Sequence, residues 1–190
     1  MNYVGALLVV SAFWGGFEIV VNLIKRADRS RATPKDRLSM LVLWILFAVG
    51  SCVGVMLTSI SAARLPSVIR VYSYWGGLAL IVIGVAIRCV AIATLKQYFT
   101  VDVAIANDHK VIDHGVYGIV RHPSYAGSLL SFIGLGLAFV NWLSLAVVVV
   151  CTTAGLAYRI AVEEEALTAA LGDEYRAYAA RTKRLIPGMF

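Results

Sequence analysis

Arg121-His122-Pro123-Ser124-Tyr125-Ala126-Gly127 joins a cation, an imidazole, a proline and a phenol to the edge of a long apolar segment. Proline lacks an N–H and fixes φ near the helical value, so it suits the first turn of a helix. A helix is therefore expected to open at Pro123, with Arg121 and His122 just ahead of it. Residues 126–140 carry no charged side chain at all. What surrounds this segment decides whether it is a core helix or one embedded in lipid.

Outward from it the pattern repeats. Apolar stretches occupy 143–162 on one side and 4–24, 38–60 and 71–95 on the other, separated by polar or basic segments, the longest from Lys96 to Arg121. Across all 190 residues, 60% are hydrophobic and 15% charged, with a mean hydropathy of +0.81. A soluble domain of this size cannot hide that much apolar surface. In hydrocarbon the backbone must satisfy its own hydrogen bonds, and continuous apolar runs without period-2 alternation select helices over a barrel. The expected fold is an all-α integral membrane protein of about five transmembrane helices. Four of the runs reach the roughly 20 residues that cross about 30 Å, and the fourth is shorter. The run at 4–24 has no basic region before it and no small-x-small cleavage site, so it is expected to remain as a first span.

Net charge is +6, but the basic residues sit at the ends of apolar runs, which points to topology and away from nucleic acid. The first loop holds six of them, Lys25, Arg26, Arg29, Arg31, Lys35 and Arg37, and the second loop two, Arg64 and Arg70. The positive-inside rule then places the N-terminus outside and the tail in the cytoplasm, with both ionisable clusters, Lys110 to Tyr125 and Arg159 to Arg184, on the cytoplasmic side. Such clusters are costly near lipid and read as a functional site.

Individual residues sharpen this. Arg88 lies about 12 Å of helix from the polar exit at Lys96, a long reach for snorkelling, so a buried role facing a polar partner is expected. Exposed N–H groups at the start of the fourth span favour an anion, which His122 and Tyr125 would flank; an interfacial anchor is the competing account. Arg159 and Glu163 are four apart and share a helix face. Glu163, Glu164 and Glu165 point in different directions and need different partners, one of which could be a cationic ligand. The tail after Glu163 is expected to be helical along the membrane surface, broken at Gly172, with Tyr175 and Tyr178 on one face and Pro187-Gly188 as its end. Gly50 and Gly54 form a G-x-x-x-G pair, and Gly76, Gly77 and Gly84 line the third span, which suits close helix packing within the chain or between two copies. Cys52, Cys89 and Cys151 are odd in number and lie in apolar runs, so buried thiols are expected. His109, His114 and His122 lack metal-ligand spacing, no metal site is expected, and neither a G-x-S-x-G nucleophile nor a glycine-rich phosphate loop is present.

Read in order, Ile87-Arg88, Phe99-Thr100, His109-Lys110-Val111-Ile112, Gly115-Val116-Tyr117, Arg121-His122-Pro123-Ser124-Tyr125-Ala126-Gly127, Arg159 with Glu163-Glu164 and Leu167, Gly172 with Tyr175 and Tyr178, and Arg184-Leu185-Ile186-Pro187 resemble the isoprenylcysteine carboxyl methyltransferase family, in a prokaryotic-type form. The likeness covers roughly residues 75–190. It implies a single membrane domain, 1–190, in which residues 1–70 are two spans without motifs and 71–190 a methyltransferase core. It further implies a cytoplasmic pocket for S-adenosyl-L-methionine, released as S-adenosyl-L-homocysteine, formed by the 96–125 segment and the C-terminal helix. The cofactor-binding residues would be His109, Val111, Ile112, Tyr117, His122, Pro123, Tyr125 and Glu163. Arg88 and Arg159 fall where the family places arginines near the substrate carboxylate and, with Glu163, are the catalytic candidates. The substrate would be a lipophilic carboxylate, such as an isoprenylated cysteine, entering from the bilayer between spans. One departure concerns a family glutamine before the histidine block, where this chain reads Val101-Asp102-Val103-Ala104-Ile105. The competing functions are a phospholipid or other amphiphile methyltransferase, an NADPH-dependent sterol-type reductase and a non-catalytic membrane protein.

Overall fold

The structure is a computed structural model that describes residues 3–24, 34–95 and 111–188. Six α-helices follow one another: α1 (Tyr3–Ile24), α2 (Pro34–Leu57), α3 (Ser67–Leu95), α4 (Pro123–Ala138), α5 (Trp142–Leu171) and α6 (Asp173–Arg181). By length and composition, Lys35–Leu57, Ser67–Leu95 and Trp142–Leu171 are apolar enough to cross a membrane, while Gly5–Val21 and Pro123–Ala138 are shorter apolar helices. This is an integral membrane protein. Its outer surface is apolar, with Leu8, Phe13, Leu23, Met56, Val68 and Val150 all exposed, a pattern that needs lipid to cover it.

Glycine sets how closely the helices approach. A Cβ on Gly77 or Gly84 of α3 would collide with the backbone of α4 at Gly134 and Gly127, and the converse holds for Gly127 and Gly134. Two glycines seven residues apart on each helix thus bring the two backbones together. Gly50 and Gly54 on α2 meet Cys151 and Val148 of α5, and Gly155 meets Leu43, so the G-x-x-x-G pair packs within the chain. Between these two glycine seams, Trp14, Tyr74, Leu78, Ile81, Val85, Phe132, Leu135 and Val148 form a buried cluster. Trp14 stands edge-on to Phe132 with ring centroids 4.8 Å apart.

At the end away from the ionisable clusters, Asn141 caps α5 by accepting from the N–H groups of Leu143 and Ser144, and its amide donates to the carbonyls of Leu57 and Ile60. One side chain therefore satisfies the start of one helix and the end of another.

Several boundaries differ from the sequence reading. α2 begins at Pro34 and α3 at Ser67, because a helix can start inside a polar stretch once proline or a cap allows it. The fifth helix does not end near residue 162. Ala, Leu and Glu are strong helix formers, so the charged run continues the helix to Leu171, where Gly172 at φ 57° stops it. The tail helix ends at Arg181 rather than at Pro187, since Thr182 is extended and its hydroxyl bonds the carbonyl of Tyr178. The thiols are a second correction: Cys52 and Cys89 are exposed and Cys151 is half-buried. In a lipid-facing helix both faces are apolar, so hydrophobicity alone does not distinguish core from outside.

Candidate functional site

Arg88, the start of α4, the last turns of α5 and the tail meet at one end of the helix bundle. Pro123 opens α4 as expected, with His122 at its N-cap position. The imidazole of His122 stacks on the ring of Tyr125 at 5.6 Å between centroids and 22° between planes. Glu164 brings a carboxylate up to the residues ahead of this helix start. It lies 3.2 Å from His122 Nε2, accepts from Arg121 Nε at 3.0 Å, and accepts from Arg184 Nε and Nη2 at 3.0 and 2.8 Å. These are charge-assisted bonds to a mostly buried acid, the stronger kind.

The three consecutive glutamates separate as their 100° helical step requires. Glu163 accepts from the Tyr125 hydroxyl at 2.6 Å, Glu164 joins the cluster above, and Glu165 pairs with Lys35 of α2. The hydroxyl of Tyr125 also accepts from Arg159 Nε at 3.3 Å. Arg159 and Glu163 thus converge on one phenol.

Arg159 is 1% exposed. Its Nη1 donates to the carboxylate of Asp36 and, at 2.7 Å, to the Ser39 hydroxyl, both on α2. Burying a guanidinium this deeply requires a paired anion and satisfied hydrogens. Arg88 follows the same rule with different partners. Its Nη1 donates to Ser124 Oγ at 2.7 Å and Ser128 Oγ at 3.1 Å on α4, and its Nη2 to Glu18 Oε2 at 2.8 Å on α1. The side chain is 11% exposed, so snorkelling is ruled out and the buried role holds.

The tail closes over this end. Arg121 N–H donates to the Lys183 carbonyl at 2.7 Å and His122 N–H to the Arg184 carbonyl at 3.0 Å. The Tyr178 hydroxyl donates to the carbonyl of Tyr117 at 2.7 Å, and burial pushes its phenol up to about 12. Tyr117 is buried, and burial followed by the charge of Glu163 raises its phenol. Tyr175 is 5% exposed and its hydroxyl has no hydrogen-bond partner among the described residues. Burial and then the negative charges of Glu164 and Glu163 raise that phenol.

Of the residues singled out from sequence, Tyr117, His122, Pro123, Tyr125, Arg159 and Glu163 come together, and Arg88 reaches the same first turn of α4 through Ser124. Val111 and Ile112 are half-buried in the irregular stretch ahead of the 3-10 turn Gly115–Gly118. His109 and residues 101–105 lie outside the described residues. No group of three or more His, Cys, Asp or Glu able to hold a metal occurs among the described residues. Sequence reasoning missed Glu18, Asp36, Ser39, Ser124 and Ser128 as partners of the two arginines. A signal existed: a carboxylate within an apolar run, as at Glu18, is expensive and must have a partner.

Comparison with known proteins adds an independent line. Residues 77–169 match the profile of the isoprenylcysteine carboxyl methyltransferase (ICMT) family. A probable protein-S-isoprenylcysteine O-methyltransferase of Oryza sativa subsp. indica is 34% identical over 113 residues, which cover 58% of this chain and 59% of that protein. Protein-S-isoprenylcysteine O-methyltransferase B of Arabidopsis thaliana is 35% identical over 113 residues, 58% of this chain and 57% of the relative. The matched region thus spans less than two thirds of these relatives. Among solved structures, the eukaryotic intramembrane Ras methyltransferase ICMT superposes with a TM-score of 0.62 at 28% identity, covering 77% of this chain and 52% of that one. The matched segment begins at Gly77, on the glycine seam of α3, and takes in Arg88, the start of α4 and the three glutamates of α5; over that segment the chain is similar to the isoprenylcysteine carboxyl methyltransferase family.

Proposed function

We propose that this protein is a membrane methyltransferase that uses S-adenosyl-L-methionine to esterify a lipophilic carboxylate of the isoprenylcysteine type. The observation that carries the proposal is the meeting of Arg159, Tyr125 and Glu163 beside the His122–Glu164 cluster. Residues that the family motif spreads over forty positions act here as one constellation.

The residues present suit a sulfonium nucleotide. The buried Tyr175 hydroxyl, which has no hydrogen-bond partner among the described residues, offers an unsatisfied polar atom to a ligand, and the nearby negative charge of Glu163 suits a cationic amino acid. His122, Tyr125, Tyr117, Pro123 and Glu163 would hold the donor, with Val111, Ile112 and His109 on its approach. When bound, the donor contributes an electrophilic methyl group on a positively charged sulfur.

The chain's own task is positioning. A carboxylic acid with an ordinary pKa near 3.5 is already ionised at neutral pH, so no general base is needed. Its oxygen is a weak nucleophile, and rate comes from alignment and from removal of water. Arg88 and Arg159 would orient the acceptor carboxylate, and both guanidinium groups are held in place beforehand: Arg88 by Ser124 and Ser128, Arg159 by Asp36 and Ser39. That preorganisation avoids reordering long side chains when substrate arrives. Glu163 would face the positive donor while sharing the Tyr125 hydroxyl with Arg159.

On this reading the five apolar helices all cross the bilayer, N-terminus outside and tail cytoplasmic. Arg88 near the end of α3, the start of α4 and the end of α5 then share the inner face, along with the start of α2. The whole chain acts as one domain, with residues 71–190 as its methyltransferase core.

A thermal-shift comparison of the purified protein with S-adenosyl-L-homocysteine, NADPH and no ligand tests the class. Stabilisation by the first alone is expected, because binding to the folded form raises its melting point by mass action. Stabilisation by NADPH alone would point to the sterol-type reductase, and a flat response to both would sink the enzymatic reading.

A further inference from the structure

We propose that Glu18 of α1 is an internal stand-in for the acceptor carboxylate, seated on Arg88 until substrate displaces it. This rests on the function proposed above and adds a specificity-determining residue from outside the segment that matches the family.

The geometry at Arg88 is uneven. Nη1 is fixed from the α4 side by two serine hydroxyls, at 2.7 and 3.1 Å. The opposite edge, Nε with Nη2, is the one that takes a carboxylate by two parallel hydrogen bonds. Glu18 fills only half of it, through Nη2 at 2.8 Å, while the buried Nε–H has no partner among the described residues. The second oxygen of Glu18, Oε1, is turned to the indole N–H of Trp14 at 3.4 Å. A carboxylate arriving side-on would satisfy both Nε and Nη2, which the resident glutamate does not. An unmatched buried donor costs free energy, and the incoming group removes that cost, which offsets part of the cost of parting Glu18 from Arg88.

The seam that carries Glu18 is also the loosest one. α1 has Trp14 and Val21 as its buried hydrophobic residues among those described, and no Cβ contact awaits Gly5, Gly15 or Gly16. Farther along the same α1–α3 seam an apolar hollow of 670 Å³ lies between Ala6, Val9 and Val10 on one side and Trp75, Leu78 and Val82 on the other. It lies between the same two helices that bear the Glu18–Arg88 contact, and it would take the apolar chain of the acceptor whose carboxylate replaces Glu18. Two negative groups cannot share one guanidinium edge, so acceptor affinity is lowered by the fraction of protein in which Glu18 holds Arg88.

The test uses the full chain in detergent, saturated with S-adenosyl-L-homocysteine, and two probes: N-acetyl-S-farnesylcysteine, which has a carboxylate, and its methyl ester, which does not. Binding is measured by calorimetry for the wild type and for Glu18→Gln, which keeps an acceptor for Trp14 but removes the charge. The carboxylate probe is expected to bind Glu18→Gln about ten-fold more tightly than the wild type, with the ester changed less than two-fold. Should Glu18→Gln fail to fold, Glu18→Asp retains the charge on a shorter arm and is expected to give a smaller gain of the same sign. Equal changes for both probes, or weaker carboxylate binding, would overturn the stand-in and leave Glu18 as a structural counter-ion. No binding of either probe to any of the proteins overturns the acceptor reading and this inference together. Tighter carboxylate binding, with no methyl transfer to the probe once S-adenosyl-L-methionine replaces S-adenosyl-L-homocysteine, overturns the transferase reading alone.

Discussion

The helices of the family-matched segment, α3 to α5, and the two N-terminal helices handle charge in opposite ways. α3 and α5 contribute the buried cations Arg88 and Arg159; α1 and α2 contribute the anions Glu18 and Asp36. One pair of regions holds the recognisable motif and the other holds none, yet neither arginine could stay buried without its partner across the divide. The absence of a motif in the first two helices therefore does not make them mere membrane anchors. They differ from each other as well. α2 is locked to α5 by glycine contacts and a fully buried ion pair, whereas α1 leans on the core through few residues and carries a more accessible pair, with Arg88 and Glu18 at 11% and 15% side-chain exposure.

The sharpest way to break this comparison is at Asp36. Asp36→Ala removes the carboxylate buried against Arg159, which costs about 3–5 kcal/mol of stability, and it displaces the guanidinium enough to lower methyl transfer on the order of 100-fold. Thermal unfolding and turnover in detergent report the two effects. Arg159→Ala alone is expected to destabilise similarly, because it removes the cation buried against Asp36. The joint replacement Asp36→Leu with Arg159→Met should recover most of the stability and none of the activity. If turnover survives in that double variant, Arg159 has no part in the reaction.

A smaller effect separates the packed seam from the open helix. Gly84→Ala forces apart α3 and α4, where a Cβ would strike Ser131 and the Gly127 backbone, at about 1–3 kcal/mol. Gly16→Ala meets nothing within 4 Å and should stabilise α1 by up to about 1 kcal/mol. Equal melting points for the two variants would contradict the packing difference between α1 and α3.

At the donor side, His122→Ala removes one partner of Glu164 and the ring stacked on Tyr125. Affinity for S-adenosyl-L-homocysteine is expected to fall about ten-fold in calorimetry, and unchanged affinity would take His122 out of the pocket. Arg184 is more exposed and shares Glu164 with Arg121 and His122, so Arg184→Ala should weaken donor binding only a few-fold.

The smallest effect is on pH. The Tyr178 phenol is raised from 10.0 to about 12 by burial, so the folded form holds its proton more tightly than the unfolded chain does. Its contribution is complete below pH 10 and is lost as pH rises toward about 12. Tail docking, followed by protection of the Arg121 and His122 amides from hydrogen exchange, should be flat from pH 7 to 9 on this account and decline above pH 10. Tyr178→Phe should lessen that decline, the remainder coming from the buried phenols of Tyr117 and Tyr175, which are raised as well.

By itself the sequence determined that the chain is helical and membrane-embedded, that a helix begins at Pro123, and that glutamates 163 to 165 need separate partners. These follow from local rules: hydropathy against bilayer thickness, the missing N–H of proline and the angular step of a helix. It also marked Arg88, Arg159, His122, Tyr125 and Glu163, because polar residues are scarce in such a chain and their spacing is that of a family. It could not name Glu18 and Asp36 as the partners, nor tell that Cys52 and Cys89 face outward. A buried charge dictates that a counter-charge exists, but which one lies 2.8 Å away after 70 residues of intervening chain depends on how the helices pack. The glycine seams decide that packing, since they fix which faces meet and leave an apolar helix to distinguish core from lipid only after its neighbours are in place.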